Sequence, residues 1–241
     1  MIQKLILVIT ILLYLGAAYT WFQEGWYRFF LVLLVSHLTA LFDPLWQRLY
    51  AYSYEPPVTE VLTIFDRPLP VFILIGAAWF YSFPALVLFY FYRRRWWPRH
   101  YITGVIAFMS MLLYHLIGQG LALRSEIWSF DQVGMLPLDL PYPLFTAALA
   151  ALVSLLNLYL LIATRHYALP ALIRDLVGGL VSAPILVYGI LGAPFWLPQM
   201  LEQPSWVVGL GLVMTVGLVI WVIHLTCWGL HASRYHRVRW S

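Results

Sequence analysis

The stretch Met111–Phe130, MLLYHLIGQGLALRSEIWSF, decides how the chain is to be read. It sets an apolar, membrane-type run around two polar groups, His115 and Gln119, which stand four apart and share one face of a helix. Arg124, Glu126, Trp128 and Phe130 then mark an exit into an interface. In a helix that crosses a bilayer, His115 and Gln119 must face other helices or a cavity, because lipid offers them no hydrogen bonds.

Composition extends this reading to the whole chain. The 241 residues are 63% hydrophobic and only 10% charged, with a mean hydropathy of +0.82. A soluble domain carries roughly 25% charged residues. The expected fold class is therefore all-α, a polytopic membrane bundle forming one domain over residues 1–241. The only cysteine, Cys227, excludes an intrachain disulfide and any cysteine-rich metal centre. The basic pI, near 9.2, comes from residues in loops, so the partner it implies is the lipid bilayer rather than nucleic acid.

Seven apolar stretches are long enough to span, at about 20 residues each. They cover roughly 2–22, 27–50, 69–92, 101–123, 141–164, 169–196 and 204–230. Gly16-Ala17-Ala18 resembles a signal-peptide cleavage region, but the run continues to Trp21 and Phe22, which suits a retained first span. Trp21, Trp26, Tyr27, Trp96, Trp97, Trp128, Trp196, Trp206 and Trp240 fall at the boundaries as an aromatic belt.

Loop charge orients the bundle. Arg93, Arg94, Arg95, Arg99, Arg165, Arg174, Arg234, Arg237 and Arg239 lie on one side. Glu55, Glu60, Asp66, Glu126, Asp131, Asp139 and Glu202 lie on the other. This places the N-terminus outside and the C-terminus in the cytoplasm, with Lys4 as a minor exception, and suits a bacterial cytoplasmic membrane.

Span two holds the one acid inside a hydrophobic run, Asp43. Ser36, Thr39, Asp43, Gln47 and Tyr50 follow helical spacing and form a polar stripe. Pro44 cannot donate to the carbonyl of Ala40, so a kink is expected beside Asp43. Asp43 reads either as a functional acid or as a structural one bonded to neighbouring helices or to Arg48. In span five, Thr146, Asn157 and Thr164 share a face with Ser154 a quarter-turn away, a pattern that suits interhelical hydrogen bonds. Arg174 and Asp175 read as an interfacial pair, and Gly178, Gly179 and Pro184 as close packing with a bend.

Several chemistries are excluded. The only lysine is Lys4, so no retinal Schiff base can form inside the bundle. No nucleotide-binding loop, zinc-protease motif or nucleophile elbow occurs. His37, His115 and His224 fall inside spans; they could ligate a haem or pigment, although packing histidines are commoner and no cofactor is otherwise expected. The remaining constellation is an outer-half cavity formed by Asp43, Gln47, His115, Gln119 and Thr146, with Arg124 and Trp128 above it. An aromatic pocket with one protonatable acid suits acid-initiated isoprenoid chemistry, where aromatic faces stabilise a carbocation and a base removes the last proton. It suits equally a pocket that only holds a polyene or quinone.

Phe42-Asp43-Pro44-Leu45, Tyr50-Ala51-Tyr52-Ser53-Tyr54, Phe65-Asp66-Arg67-Pro68, the run RRRWWP at Arg93–Pro98, Gly120–Phe130 and Tyr142-Pro143-Leu144-Phe145 carry a resemblance. Over roughly residues 35–160 the chain resembles the spirocyclase-like membrane proteins of the avermectin type, and more distantly carotenoid hydratases and heterodimeric lycopene cyclases. In that group's pattern acids stand at the positions of His115, Gln119 and Thr146, and here only Asp43 remains. The resemblance implies a membrane cyclase or hydratase acting on an isoprenoid, carotenoid or polyketide. Asp43 would be the acid and His115 the base or relay. Gln47, Tyr50, Gln119, Arg124, Trp128 and Thr146 would hold substrate or water. The alternatives are a non-catalytic subunit binding pigment, quinone or lipid beside other membrane proteins, and a small-molecule transporter.

Overall fold

The computed structural model describes residues 2–55, 59–95, 100–130, 135–137 and 140–232. Trp96, Trp97, Arg99, Asp131, Asp139, Arg234, Arg237, Arg239 and Trp240 lie outside the described residues. Among the described residues, seven helices are long and apolar enough to cross a membrane: Lys4–Glu24, Tyr27–Leu49, Val71–Arg93, Tyr101–Arg124, Tyr142–Ala163, Leu169–Leu191 and Ser205–His231. They are numbered one to seven below. The apolar runs place six of them to within about two residues at each end. Span six stops five residues early, because Gly192 and Pro194 break it and a separate short helix, Ala193–Met200, follows.

The loops are not irregular, as an all-α reading implies. Among the described residues, six short strands form three antiparallel pairs: β1 (Tyr52–Tyr54), β2 (Glu60–Ile64), β3 (Arg67–Pro70), β4 (Trp128–Phe130), β5 (Met135–Leu136) and β6 (Leu140–Pro141). β1 pairs with β4, with Tyr52 opposite Phe130 and Tyr54 opposite Trp128. β2 and β3 form a hairpin in which Ile64 faces Arg67. Its two turn residues, Phe65 and Asp66, both have positive φ, at 55° and 58°. That is the twist a two-residue hairpin turn demands, met here without glycine.

The described residues fall into two compact units, Met1–Phe83 with Gly120–Gly134, and Pro84–Gln119 with Met135–Ser241. In the first unit, Val32, Leu33, Leu69 and Ala78 are buried, and Ala40, Leu69 and Ala77 pack as one apolar cluster. Span two crosses this unit with a defect. Pro44 has no N–H for the carbonyl of Ala40, and the N–H of Asp43 bonds that carbonyl instead, giving a tight turn at Ala40–Phe42. The disturbance expected beside Asp43 takes the form of this tightened turn, directly ahead of Asp43 and Pro44. Ser36, the first member of the polar stripe, bonds the carbonyl of Val32 and the hydroxyl of Ser82.

In the second unit span five is the axis. Residues Leu149 to Val153 are fully buried, and Ala147, Ala150, Ala151 and Ser154 let neighbouring helices approach closely. Gly211 of span seven lies against the carbonyl oxygen of Pro194, where a Cβ would stand only 1.8 Å from that oxygen. In span six two wide-turn segments, Ile173–Val177 and Ile185–Leu191, flank Gly178–Pro184. The indole N–H of Trp196 donates to the carbonyls of Tyr188 and Gly189, 3.1 Å from each, and so satisfies groups the second segment frees.

Candidate functional site

The site is built on Asp43, which opens the last helical segment of span two, Asp43–Leu49. One turn later on the same face, Gln47 donates its Nε2 to Asp43 Oδ2 at 2.8 Å and to the carbonyl of Pro68 at 2.7 Å. The Pro68 carbonyl can only accept, so it fixes which end of the amide faces the acid. The helix ends at Leu49, and Ala51 with φ 45° turns the chain into β1. Along a strand, residues two apart share a face. Tyr52 and Tyr54 both present their hydroxyls to the carboxyl, Tyr52 to Oδ1 at 2.8 Å and Tyr54 to both oxygens at 3.0 Å.

Asp43 thus accepts from three neutral donors and, among the described residues, has no cation beside it. Arg48 does not pair with it; its side chain is exposed, with the guanidinium 6.0 Å from the centre of the Phe65 ring. Tyr52 and Tyr54 lie outside the spans. Burial, with the Asp43 charge as the next cause, raises both phenols well above their ordinary value. They stay protonated and keep donating.

Aromatic rings enclose this group. Trp128, opposite Tyr54 in the β1–β4 pair, stands 6.2 Å from the Tyr52 ring and 6.3 Å from that of Tyr54. Phe130 packs edge-on against Tyr52 at 6.4 Å, and Phe72 against Tyr54 at 5.4 Å. Two buried polar atoms at this wall, Gln47 Oε1 and Trp128 Nε1, have no hydrogen-bond partner among the described residues.

The other expected site residues belong to a second cluster, or to none. His115, in the second unit, bonds through Nε2 to the Ser154 hydroxyl at 2.9 Å. Gln119 meets the first turn of span five, with Thr146 Oγ1 2.9 Å away. The amide orientation that satisfies both of its ends also donates to the Pro143 carbonyl at 2.8 Å. His115, Gln119, Thr146 and Ser154 are all buried. None of them is a hydrogen-bond partner of Asp43, whose partners all come from the first unit. Tyr50, expected on the acid's stripe, is buried but is not one of its partners, because the helix ends one residue before it. Arg124 is exposed and makes no hydrogen bond or ion pair among the described residues.

The histidines read as haem or pigment ligands are engaged within the protein. Nδ1 of His37 lies 2.7 Å from the Leu74 carbonyl, so it donates there, and its Nε2 accepts from the Tyr14 hydroxyl at 2.8 Å. His224 Nδ1 lies 3.0 Å from the Tyr101 hydroxyl. No group of three or more metal-binding side chains occurs among the described residues.

The site gains two tyrosines, Tyr52 and Tyr54, that the helical stripe does not include, although their spacing announces them. In Tyr50-x-Tyr52-x-Tyr54 the period of two is that of a strand, and the helical reading of Ser36 to Tyr50 masked it.

Seven bilayer-length apolar helices define a polytopic helical membrane protein. Compared with models of known families, with characterised proteins and with solved structures, the chain matches none.

Proposed function

We propose that the protein is a membrane-embedded cyclase or hydratase acting on an isoprenoid or polyketide chain, with Asp43 as its proton-exchanging group. One observation carries the reading: Tyr52, Tyr54 and Gln47 converge on a single carboxyl beside the rings of Trp128, Phe130 and Phe72. Carbocation chemistry needs a group that gives or takes a proton, and π faces that tolerate positive charge. The phenols, held neutral, leave negative charge to the carboxyl. Asp43 therefore suits the base and counter-ion of such a reaction, and in its protonated form the initiating acid. Tyr52 and Tyr54 orient it. His115 takes a packing role with Ser154 in this account. Loop charge supports an external N-terminus and a cytoplasmic C-terminus, in a bacterial cytoplasmic membrane.

The test is Asp43→Asn in membranes supplied with a carotenoid or spiroketal precursor. Product formation should be abolished while folded protein persists; unchanged turnover removes this mechanism.

A second reading, a non-catalytic subunit holding pigment, quinone or lipid beside a partner, draws on span one. Leu5, Val8, Leu12, Leu15, Tyr19 and Phe22 are exposed along it at helical spacing, a face for lipid or for another membrane protein. An absorption spectrum of the purified protein separates the two: bound pigment without turnover favours the subunit.

A further inference from the structure

The end of the second unit where spans three and five finish carries positive charge that its own acids do not balance. Arg93, Arg94 and Arg95 close span three, with Arg95 at φ 60° ending the helix, and Arg165 follows span five. At this end the described part of the unit holds one carboxylate, Asp175, and Arg174 donates to both of its oxygens. Four further guanidinium groups share that end with it. Two of the four are held against rings. The Arg165 guanidinium lies 5.8 Å from the centre of the buried Tyr92 ring, and its Nη1 donates to the Ile162 carbonyl at 2.7 Å. Tyr92 directly precedes Arg93, so this contact brings the cation after span five to the arginine run of span three. Arg94 in turn lies 5.1 Å from the centre of the Tyr90 ring.

A loop arginine that only obeys the charge bias of membrane proteins can stay extended in water. Guanidinium groups already ordered against rings lose less freedom on binding an anion, and their forked donors match a phosphate. Four residues after Arg165, Leu169 opens span six and is exposed, as is Ile173 four residues on. Cations at the rim thus lead into an apolar stripe on the span. We infer that this end binds an anionic phospholipid of the bilayer, its phosphate taken by Arg165 with the Arg93–Arg95 run and its chains lying along Leu169 and Ile173. A net-negative headgroup balances the charge the unit leaves over; a zwitterionic one brings its own cation and does not. Lipid binding here is independent of the chemistry proposed at Asp43.

The test is native mass spectrometry of the full chain released from detergent and titrated with dioleoylphosphatidylglycerol or with dioleoylphosphatidylcholine. The first phosphatidylglycerol should bind more tightly than the first phosphatidylcholine, by about fivefold for each arginine engaged. Arg165→Gln should lower that preference about fivefold and leave phosphatidylcholine binding unchanged. Arg124→Gln removes the same charge at the far end of span four and should leave the preference intact. If Arg165→Gln fails to fold, the triple variant Arg93→Gln, Arg94→Gln, Arg95→Gln carries the same expectation and decides alone. Equal affinities for the two lipids overturn the inference, and so does an Arg165→Gln protein with undiminished preference. An Arg124→Gln protein that loses as much preference as the Arg165 variant overturns it too, by leaving net charge as the cause. Displacement of the lipid by equimolar glycerol 1-phosphate would assign the arginines to a soluble phosphate instead, and a dimer that excludes lipid would assign them to a second copy; either result overturns the lipid site.

Discussion

Asp43 and His115 are polar side chains on membrane helices, and the two regions that hold them satisfy them in opposite ways. Around His115 the partners are neutral and come from the facing helix: Ser154 for the imidazole, and Thr146 for Gln119 a turn away. Such pairs hold helices in register, and the hydroxyl partners already have a second acceptor on their own helix: Ser154 bonds the carbonyl of Ala150 and Thr146 that of Tyr142. Around Asp43 three donors converge on one acceptor, and two of them come from a strand rather than a helix. Remove the acceptor and both phenols are stranded, while Gln47 keeps only the Pro68 carbonyl. A neutral ladder tolerates loss, while a one-sided cluster has a keystone, and the proposal that chemistry is done in the first region rests on that contrast.

The largest expected break is Asp43→Leu. It leaves two phenols without their acceptor and takes one of two acceptors from the Gln47 amide, and should cost about 3 kcal/mol or more of stability, read by denaturant unfolding in bicelles. Alkaline titration comes next. Because burial raises the phenols of Tyr52 and Tyr54, the folded protein holds those protons more tightly than the unfolded chain. The stability this contributes is complete below a pH of about 10 and is lost as pH climbs through the raised values. Unfolding should steepen in that window, and the phenolate absorbance of the two residues should appear only with it. Replacing both by Phe should remove no phenol that titrates before unfolding. Singly, Tyr54→Phe should cost about 1.5–2 kcal/mol, the worth of a hydrogen bond to a charged group. Combined with Asp43→Asn, the losses should fall short of additive in a double-mutant cycle. Ser154→Ala should do least, about 0.6 kcal/mol, as interhelical hydrogen bonds in membranes average. A Ser154 effect as large as that of Tyr54 would erase the distinction between the regions.

Most of the fold was legible, because lipid imposes a single-state choice on long apolar runs. Residues 101–123 were read as a span, and the helix runs Tyr101–Arg124. His115 and Gln119 were placed on an inward face, and both are buried. A spacing of four puts Asp43 beside Gln47, as found; common depth groups Asp43, Gln47, His115, Gln119 and Thr146 in one cavity, and of these Gln119 meets Thr146 while Asp43 bonds only Gln47. The rest depended on information that helical periodicity does not hold. β1 and β4 pair across more than 70 residues of chain, and three-residue strands carry too short an alternation to outvote the helical stripe beside them. Tyr50 was placed with Asp43 for that reason, when the chain leaves the helix just before it and Tyr52 and Tyr54 take over. Arg124 follows a polar helix face in the sequence; the helix ends there, and its side chain is exposed.

The pairing of β1 with β4 also sets a timetable for synthesis. Asp43 leaves the ribosome with its phenols only nine and eleven residues behind, yet the strand that aims them is completed by a partner at Trp128–Phe130. Between the two lie the whole of the third and fourth spans. The second helix therefore emerges with only Gln47 beside its acid, and closure of that loop onto β4 has to wait until two further apolar helices have been made. An intermediate stalled after the third span would hold the same residues without the strand that completes the network.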